Sequence, residues 1–230
     1  MKKSSYLYLT LSVILIGTPL YFFKGAIACE AAGPLGYEQV APNVFIATSD
    51  NRNKDDLAFL AHARSRVSDT FGEMTARPTI ILTLNKDESD KFFASTTASS
   101  HFSPFNNCLV LGPKGQNVDV AAHELVHAEI YERLGWLTQM LKMPRWFEEG
   151  ISLTVDFREP FLPENISMDE AEVEAVKALF FGHQFYNENA FKNYQAARLA
   201  VDSVDKRKFY AKLDRIKQGE SFDALFSTED

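Results

Sequence analysis

The segment 119-DVAAHELVHAEI-130 constrains this chain more than any other stretch. It carries two histidines, His123 and His127, four positions apart, with Glu124 directly after the first. An α-helix stacks residues i and i+4 on one face, so a shared role for the two imidazoles requires a helix here. Such a helix offers two nitrogen donors to one ion. Zinc suits them: it takes imidazole nitrogen and carboxylate oxygen, and at catalytic sites keeps three protein ligands and one open position. Glu124 is one step round the helix from His123, beside the ion and outside its coordination shell. There its carboxylate is placed to take a proton from water. The competing reading is an ordinary amphipathic helix that happens to carry two histidines. A third ligand would separate the two.

Short extended runs precede this segment and helical patterns follow it. Val44–Thr48 reads as a strand, and apolar residues at helical spacing (Leu57, Leu60, Val67, Phe71) predict a helix from about Asp50 to Gly72. The β-branched run 79-TIILTL-84 is the clearest strand, and 108-CLVL-111, closed by 112-GPKG-115, is another. Between them 94-ASTTASSHFSPFN-106 is Ser/Thr-rich and without periodicity, which predicts a mobile loop. The histidine helix covers about 117–134. A turn or short helix at 136–143 leads to a helix over 145–156, a Pro-rich break at 159–163, and helical stretches near 168–182, 188–201, 205–217 and 221–226. Strands with one helix first and helices afterwards give an α+β class. One domain over 44–230 follows, with an α/β lobe to 135 and a helical lobe beyond, preceded by a linker over 29–43.

The third ligand is available in 144-PRWFEEGISL-153. With this stretch the chain resembles the gluzincin metallopeptidases, in which an H-E-x-x-H helix is followed some twenty residues later by a helix supplying a glutamate ligand. In the aminopeptidase-like branch that glutamate stands directly before glycine in a W-[FL]-x-E-G-[FIL]-[AS] motif. The resemblance spans roughly residues 79–156 and assigns the ligand role to Glu149. It implies a zincin-like fold and a zinc-dependent peptidase in which His123, His127 and Glu149 bind the ion and Glu124 is the base. Gly150 would let the second helix approach the first, and Glu148, about 100° round the helix, would be a surface residue. An edge strand pairing with extended substrate is implied as well. The strand at 108–111 is the nearest candidate, with a plain core strand as the alternative. Related proteins carry an oxyanion-stabilising tyrosine in a later helix. In 190-AFKNYQAARLAV-201 Tyr194 fits that role, against a simple packing role, and Arg198 lies one turn on. Thermolysin-like members have an acid four positions after the glutamate ligand, where this chain has Leu153.

Other polar residues read less specifically. Asp119 and Asp156 are each placed to orient a ligand histidine, and Asp119 equally suits a helix's first turn. His62 and His183 read as surface residues, and His101 as a loop residue that is either solvated or lines a cleft.

A net charge of −7 with no Lys/Arg stripe argues against a nucleic-acid partner. At the N-terminus Lys2 and Lys3 precede an uncharged, mostly apolar run from Tyr6 to Phe23, which reads as an export signal or a membrane anchor. Ala26-Ile27-Ala28 favours cleavage, the length of the run favours retention, and Cys29 allows lipid modification. Each alternative makes the remainder extracytoplasmic, for instance periplasmic, secreted or held at a membrane through residues 6–23. Residues 1–28 carry three lysines and no acid, leaving −7 − 3 = −10 beyond them. The only two cysteines, Cys29 and Cys108, are then a candidate disulfide or two independent thiols.

The expected activity is hydrolysis of a peptide or protein substrate, by endopeptidase or specialised action. The rival expectations are a binding or scaffold module with little turnover, and a zinc hydrolase acting on a non-peptide bond.

Overall fold

The computed structural model describes residues 21–50 and 54–226. The export or anchor segment read at 6–23 lies outside the described residues except for its last three. Among the described residues no helix is long and apolar enough to cross a membrane.

Five strands form one mixed sheet: β1 (Tyr37–Ala41), β2 (Val44–Ala47), β3 (Thr79–Leu82), β4 (Ala98–Phe102) and β5 (Asn107–Leu111), in the order β1-β2-β3-β5-β4. The three inner strands run parallel, while β1 and β4 pair antiparallel at the two edges. Parallel inner strands are covered on both faces, which explains why 79–82 and 108–111 read as continuous apolar runs. Their side chains alternate. Ile80, Leu82, Leu109 and Leu111 join one core; Ile81, Cys108 and Val110 join the other.

The first face is packed by α2 (Ala58–Phe71), through Ala63, Val67 and Phe71, and by the long helix α4 (Val118–Leu134). The second is closed by α1 (Lys24–Glu30) and by α3 (Lys86–Lys91) with the chain after it, bringing in Ala28, Cys29 and Phe92. The Cys29–Cys108 disulfide ties α1 to β5, with a Cα–Cα separation of 6.5 Å. It uses the thiol that a lipid-modified cysteine would need, and a cut after Ala28 would fall inside α1.

Beyond α4 the chain is helical: α5 (Trp136–Lys142), α6 (Arg145–Leu153), α7 (Glu170–Val176), α8 (Gly182–Phe185), α9 (Ala190–Ala200), α10 (Phe209–Lys217) and α11 (Phe222–Phe226). The expected α+β class with a helical second half is what the fold shows.

Three expectations need correction. The stretch read as a mobile loop contains β4, an edge strand whose Ser- and His-bearing residues carry no apolar alternation to reveal it. Strand β5, the proposed substrate-pairing edge at 108–111, is interior and flanked by β3 and β4, as its wholly apolar character requires. The linker read at 29–43 contains β1 and the end of α1.

Candidate metal centre

The fold sets the histidine helix firmly. Asn117 caps α4 by accepting a hydrogen bond from Val120 N at 3.0 Å, Asp119 lies in the first turn, and Gly135 ends the helix at φ +76°. His123 and His127 fall mid-helix on the buried face. Helix α6 starts after Pro144, which is favoured where a helix begins, and packs against α4 with Glu149 buried between.

Three donor atoms converge there. His123 Nε2 is 3.3 Å from Glu149 Oε2, His127 Nε2 is 3.4 Å from the same oxygen, and the two Nε2 atoms are 3.2 Å apart. Ligands held tetrahedrally at the bond lengths of zinc lie about 3.3 Å from one another. The triangle therefore has the edge that one small tetrahedral cation demands, and its nitrogen and oxygen donors suit such an ion. His123, His127 and Glu149 can hold a metal ion.

Charge is arranged to match. Burial opposes ionisation of Glu149, yet His127 and His123 outweigh it and hold the carboxyl well below the usual carboxylate range. His127 answers in the opposite sense: burial disfavours its cation, and the Glu149 carboxylate lifts it above an ordinary imidazole. The other Glu149 oxygen accepts from the Tyr186 hydroxyl. Tyr186 is 49% exposed as a residue, but its hydroxyl is tucked against this carboxylate. Burial and then the Glu149 charge push that phenol above its ordinary range, so it stays a donor.

Glu148, read as a surface residue, is 1% exposed. The helix turns it away from the ligands, into an ion pair of 2.6 Å with Arg145, which is also 3.7 Å from Glu149 Oε1. Gly150 faces α9 instead of α4: a Cβ there would lie 2.3 Å from Ala197 O. The close approach is real, but its partner is the later helix.

Glu124 is half-buried on the same side and accepts a hydrogen bond from Ser100 of β4. Together they border a cavity of about 410 Å³ with Ser99, Arg145, Tyr186 and Tyr194, the three converging donors at its floor. Burial, then the charges of Glu149 and Glu124, push the Tyr194 phenol up, so it too keeps its proton at neutral pH. A larger cavity of about 660 Å³ lies beside Trp146, Phe147 and Phe222, away from the three converging donors. The three converging donors line the smaller one.

The remaining predicted residues divide. Asp156 is buried on the Nδ1 side of His123, with an oxygen 3.7 Å from that nitrogen and so outside hydrogen-bond reach, and is paired with Arg158. Asp119 takes its other expected role: from the first turn of α4 it binds Arg66 Nη1, which also donates to Val155 O at 2.9 Å. Arg198 pairs with Asp202 at 3.1 Å. His62 and His183 are exposed, as expected. His101 is packed under α1: a Cβ on Gly25 would lie 2.4 Å from its ring. Ser100, Arg145 and Tyr186 escaped the sequence reading. Arg145 lies four residues before Glu149, a helical pairing distance that could have flagged it; nothing local marks Ser100 or Tyr186.

Comparisons of the chain with known protein families, with curated proteins and with solved structures each gave no match.

Proposed function

We propose that this chain is a zinc-dependent metallopeptidase of the gluzincin type, with a zincin-like fold. The observation that carries the reading is the donor triangle of His123, His127 and Glu149 with the Glu124 carboxylate beside it, at the floor of an open cavity. Zinc held by those three residues would polarise a carbonyl and make a water acidic enough to attack at neutral pH.

The chain's own residues supply the rest. Glu124 takes one proton from the attacking water as the new C–O bond forms at the scissile carbonyl. It then delivers that proton to the amide nitrogen as the C–N bond breaks. Ser100 donates to Glu124 and aims it at the cavity. Tyr194, kept protonated by its surroundings, donates a hydrogen bond to the oxygen that gains charge. Tyr186 acts through Glu149 as a positioning residue. β4 is a half-buried edge strand of the sheet bordering the cavity, where an extended polypeptide can add by backbone hydrogen bonds.

The test is metal analysis of the purified protein together with digestion of a peptide library by wild type and Glu124→Gln. The expected result is one zinc per chain in both proteins, with cleavage lowered by about 10²–10⁴ in the variant. Zinc uptake without any Glu124-dependent cleavage of peptides would overturn the peptidase reading in favour of a scaffold or of a non-peptide hydrolase.

A further inference from the structure

A second surface of the molecule has no part in the metal centre. Around α1 large apolar side chains stand in solvent: Phe105 is 95% exposed, Phe22 74%, Tyr21 70%, Phe93 51% and Ile27 44%. They are neighbours. Phe105 and Ile27 line one shallow apolar depression with Phe23, and the Lys24 ammonium lies 4.5 Å from the Phe93 ring and 5.1 Å from that of Tyr21. Phe23 packs edge-on against Trp136 at 5.5 Å, which carries the patch to the exposed Leu137 and Met140 of α5. Contiguous exposed apolar surface of this kind marks an interaction site.

Phe105 is held out by design of its turn. Ser103 N donates to Asn106 O at 3.0 Å and Ser103 Oγ bonds Asn106 Oδ1 at 2.8 Å. Asn106 Nδ2 reaches Ala26 O at 3.1 Å and Glu30 Oε1 at 2.8 Å, and Tyr131 donates to Ser103 O at 2.6 Å. The turn is thus pinned to α1 and α4 with its aromatic tip outward. The disulfide fixes α1 in turn.

We propose that this surface docks on a lipid bilayer, with Phe93 and Phe105 inserted among the headgroups and acyl chains. Two observations select lipid over a protein partner. The uncharged run Tyr6–Phe23 in the sequence has the length of a membrane segment, and its last three residues, Tyr21, Phe22 and Phe23, belong to this patch. The patch also has the make-up of a membrane interface, with Tyr, Trp and Phe around a single lysine whose stem covers apolar surface. The chain is acidic overall, so attachment is apolar and needs no anionic lipid. The proposal does not depend on the metal centre.

The experiment uses the full 230-residue chain reconstituted into phosphatidylcholine vesicles. Phe93→Cys, Phe105→Cys and, as control, the exposed Lys192→Cys are each labelled with an environment-sensitive fluorophore, the native cysteines being protected as a disulfide. Circular dichroism and melting verify folding; Ile27→Cys replaces either of the variants at 93 and 105 that fails. Blue-shifted emission and quenching by spin-labelled phosphatidylcholine at 93 and 105, absent at 192 and unchanged by high salt, support docking. Labels at 93 and 105 quenched no more than at 192 overturn it, since the chain would then be in the membrane with its folded domain standing clear. A blue shift that follows protein concentration without lipid quenching also overturns it, because a second copy would be covering the patch.

Discussion

Glu129 and Glu149 are both sealed from solvent, at 0% and 2% exposure, yet their surroundings differ in kind. Glu129, on α4, is surrounded by donors that the fold itself supplies. Thr75 N, Ala76 N and the Thr75 hydroxyl lie at 2.7–2.9 Å, and Arg133 Nε at 2.8 Å. Such a carboxylate stitches α4 to the segment that leads into β3. Glu149, on α6, has one hydroxyl donor and the Arg145 guanidinium 3.7 Å away, and otherwise faces two imidazoles whose facing nitrogens need a proton or a cation to be satisfied. A buried charge must be compensated, so the first site is complete as folded, whereas the second can be completed by an ion. The contrast separates a structural acid from a ligand where burial alone cannot.

Substitution should split the two sharply. Glu129→Ala strands two backbone N–H groups and Arg133, and should cost about 3–5 kcal/mol of unfolding free energy. Glu149→Gln should cost metal-free protein less than Glu129→Ala does, since only the His127 and His123 pairing that holds its carboxyl low is lost, while abolishing stoichiometric zinc and cleavage. Equal losses of stability in the two variants, measured by urea unfolding, would erase the distinction. The disulfide extends the comparison to the other face of the sheet. Cys29→Ser/Cys108→Ser opens a link across 79 residues and should cost roughly 2–4 kcal/mol, with zinc content unchanged. Loss of zinc in that variant would mean that α1 and the metal centre are coupled. Tyr186→Phe probes the ligand side more gently. Removing the hydroxyl that orients Glu149 should weaken zinc binding by about 10–100-fold, read by competition with a chelating dye, with little change in melting.

What the sequence made legible follows the range of the interactions. His123, His127 and Glu124 share one helical turn, so local spacing set them side by side, whereas Glu149 was singled out by the likeness of 144–153 to the gluzincin motif. The apolar runs of β3 and β5 announced buried strands by local pattern as well. Ser100 could not be read, because its role exists only once β4 has paired with β5 and come to lie beside α4. Tyr186 lies 37 positions from Glu149, among eight tyrosines that are alike in sequence. Glu148 misled for a related reason: helical phase turns it from the ligands, but only Arg145 and the packing of α6 show that this direction also points inward. Gly150 signalled a close approach without naming the partner, which the third dimension supplied in Ala197.

The smallest expected effect concerns His101, the histidine whose surroundings contrast most with those of His127. Burial lowers its pKa from the ordinary imidazole value; a Phe92 backbone hydrogen bond and the Glu124 charge oppose this, and Lys24 reinforces it. The folded state therefore binds fewer protons at this ring than the unfolded chain does. Stability from this group is fully present above the unfolded histidine value of about 6.5 and is lost as pH falls from there through the lowered folded value. His127 carries the opposite sign: in metal-free protein its raised pKa adds stability below about 6.5 that fades as pH rises. Melting curves of metal-free wild type, His101→Gln and His127→Gln between pH 5 and 8 separate the two. Replacing His101 should flatten the fall on the acid side, and replacing His127 the fall on the alkaline side. If His101→Gln leaves the acid limb unchanged, its ring is not held neutral beneath Gly25, and α1 does not seal it against β4.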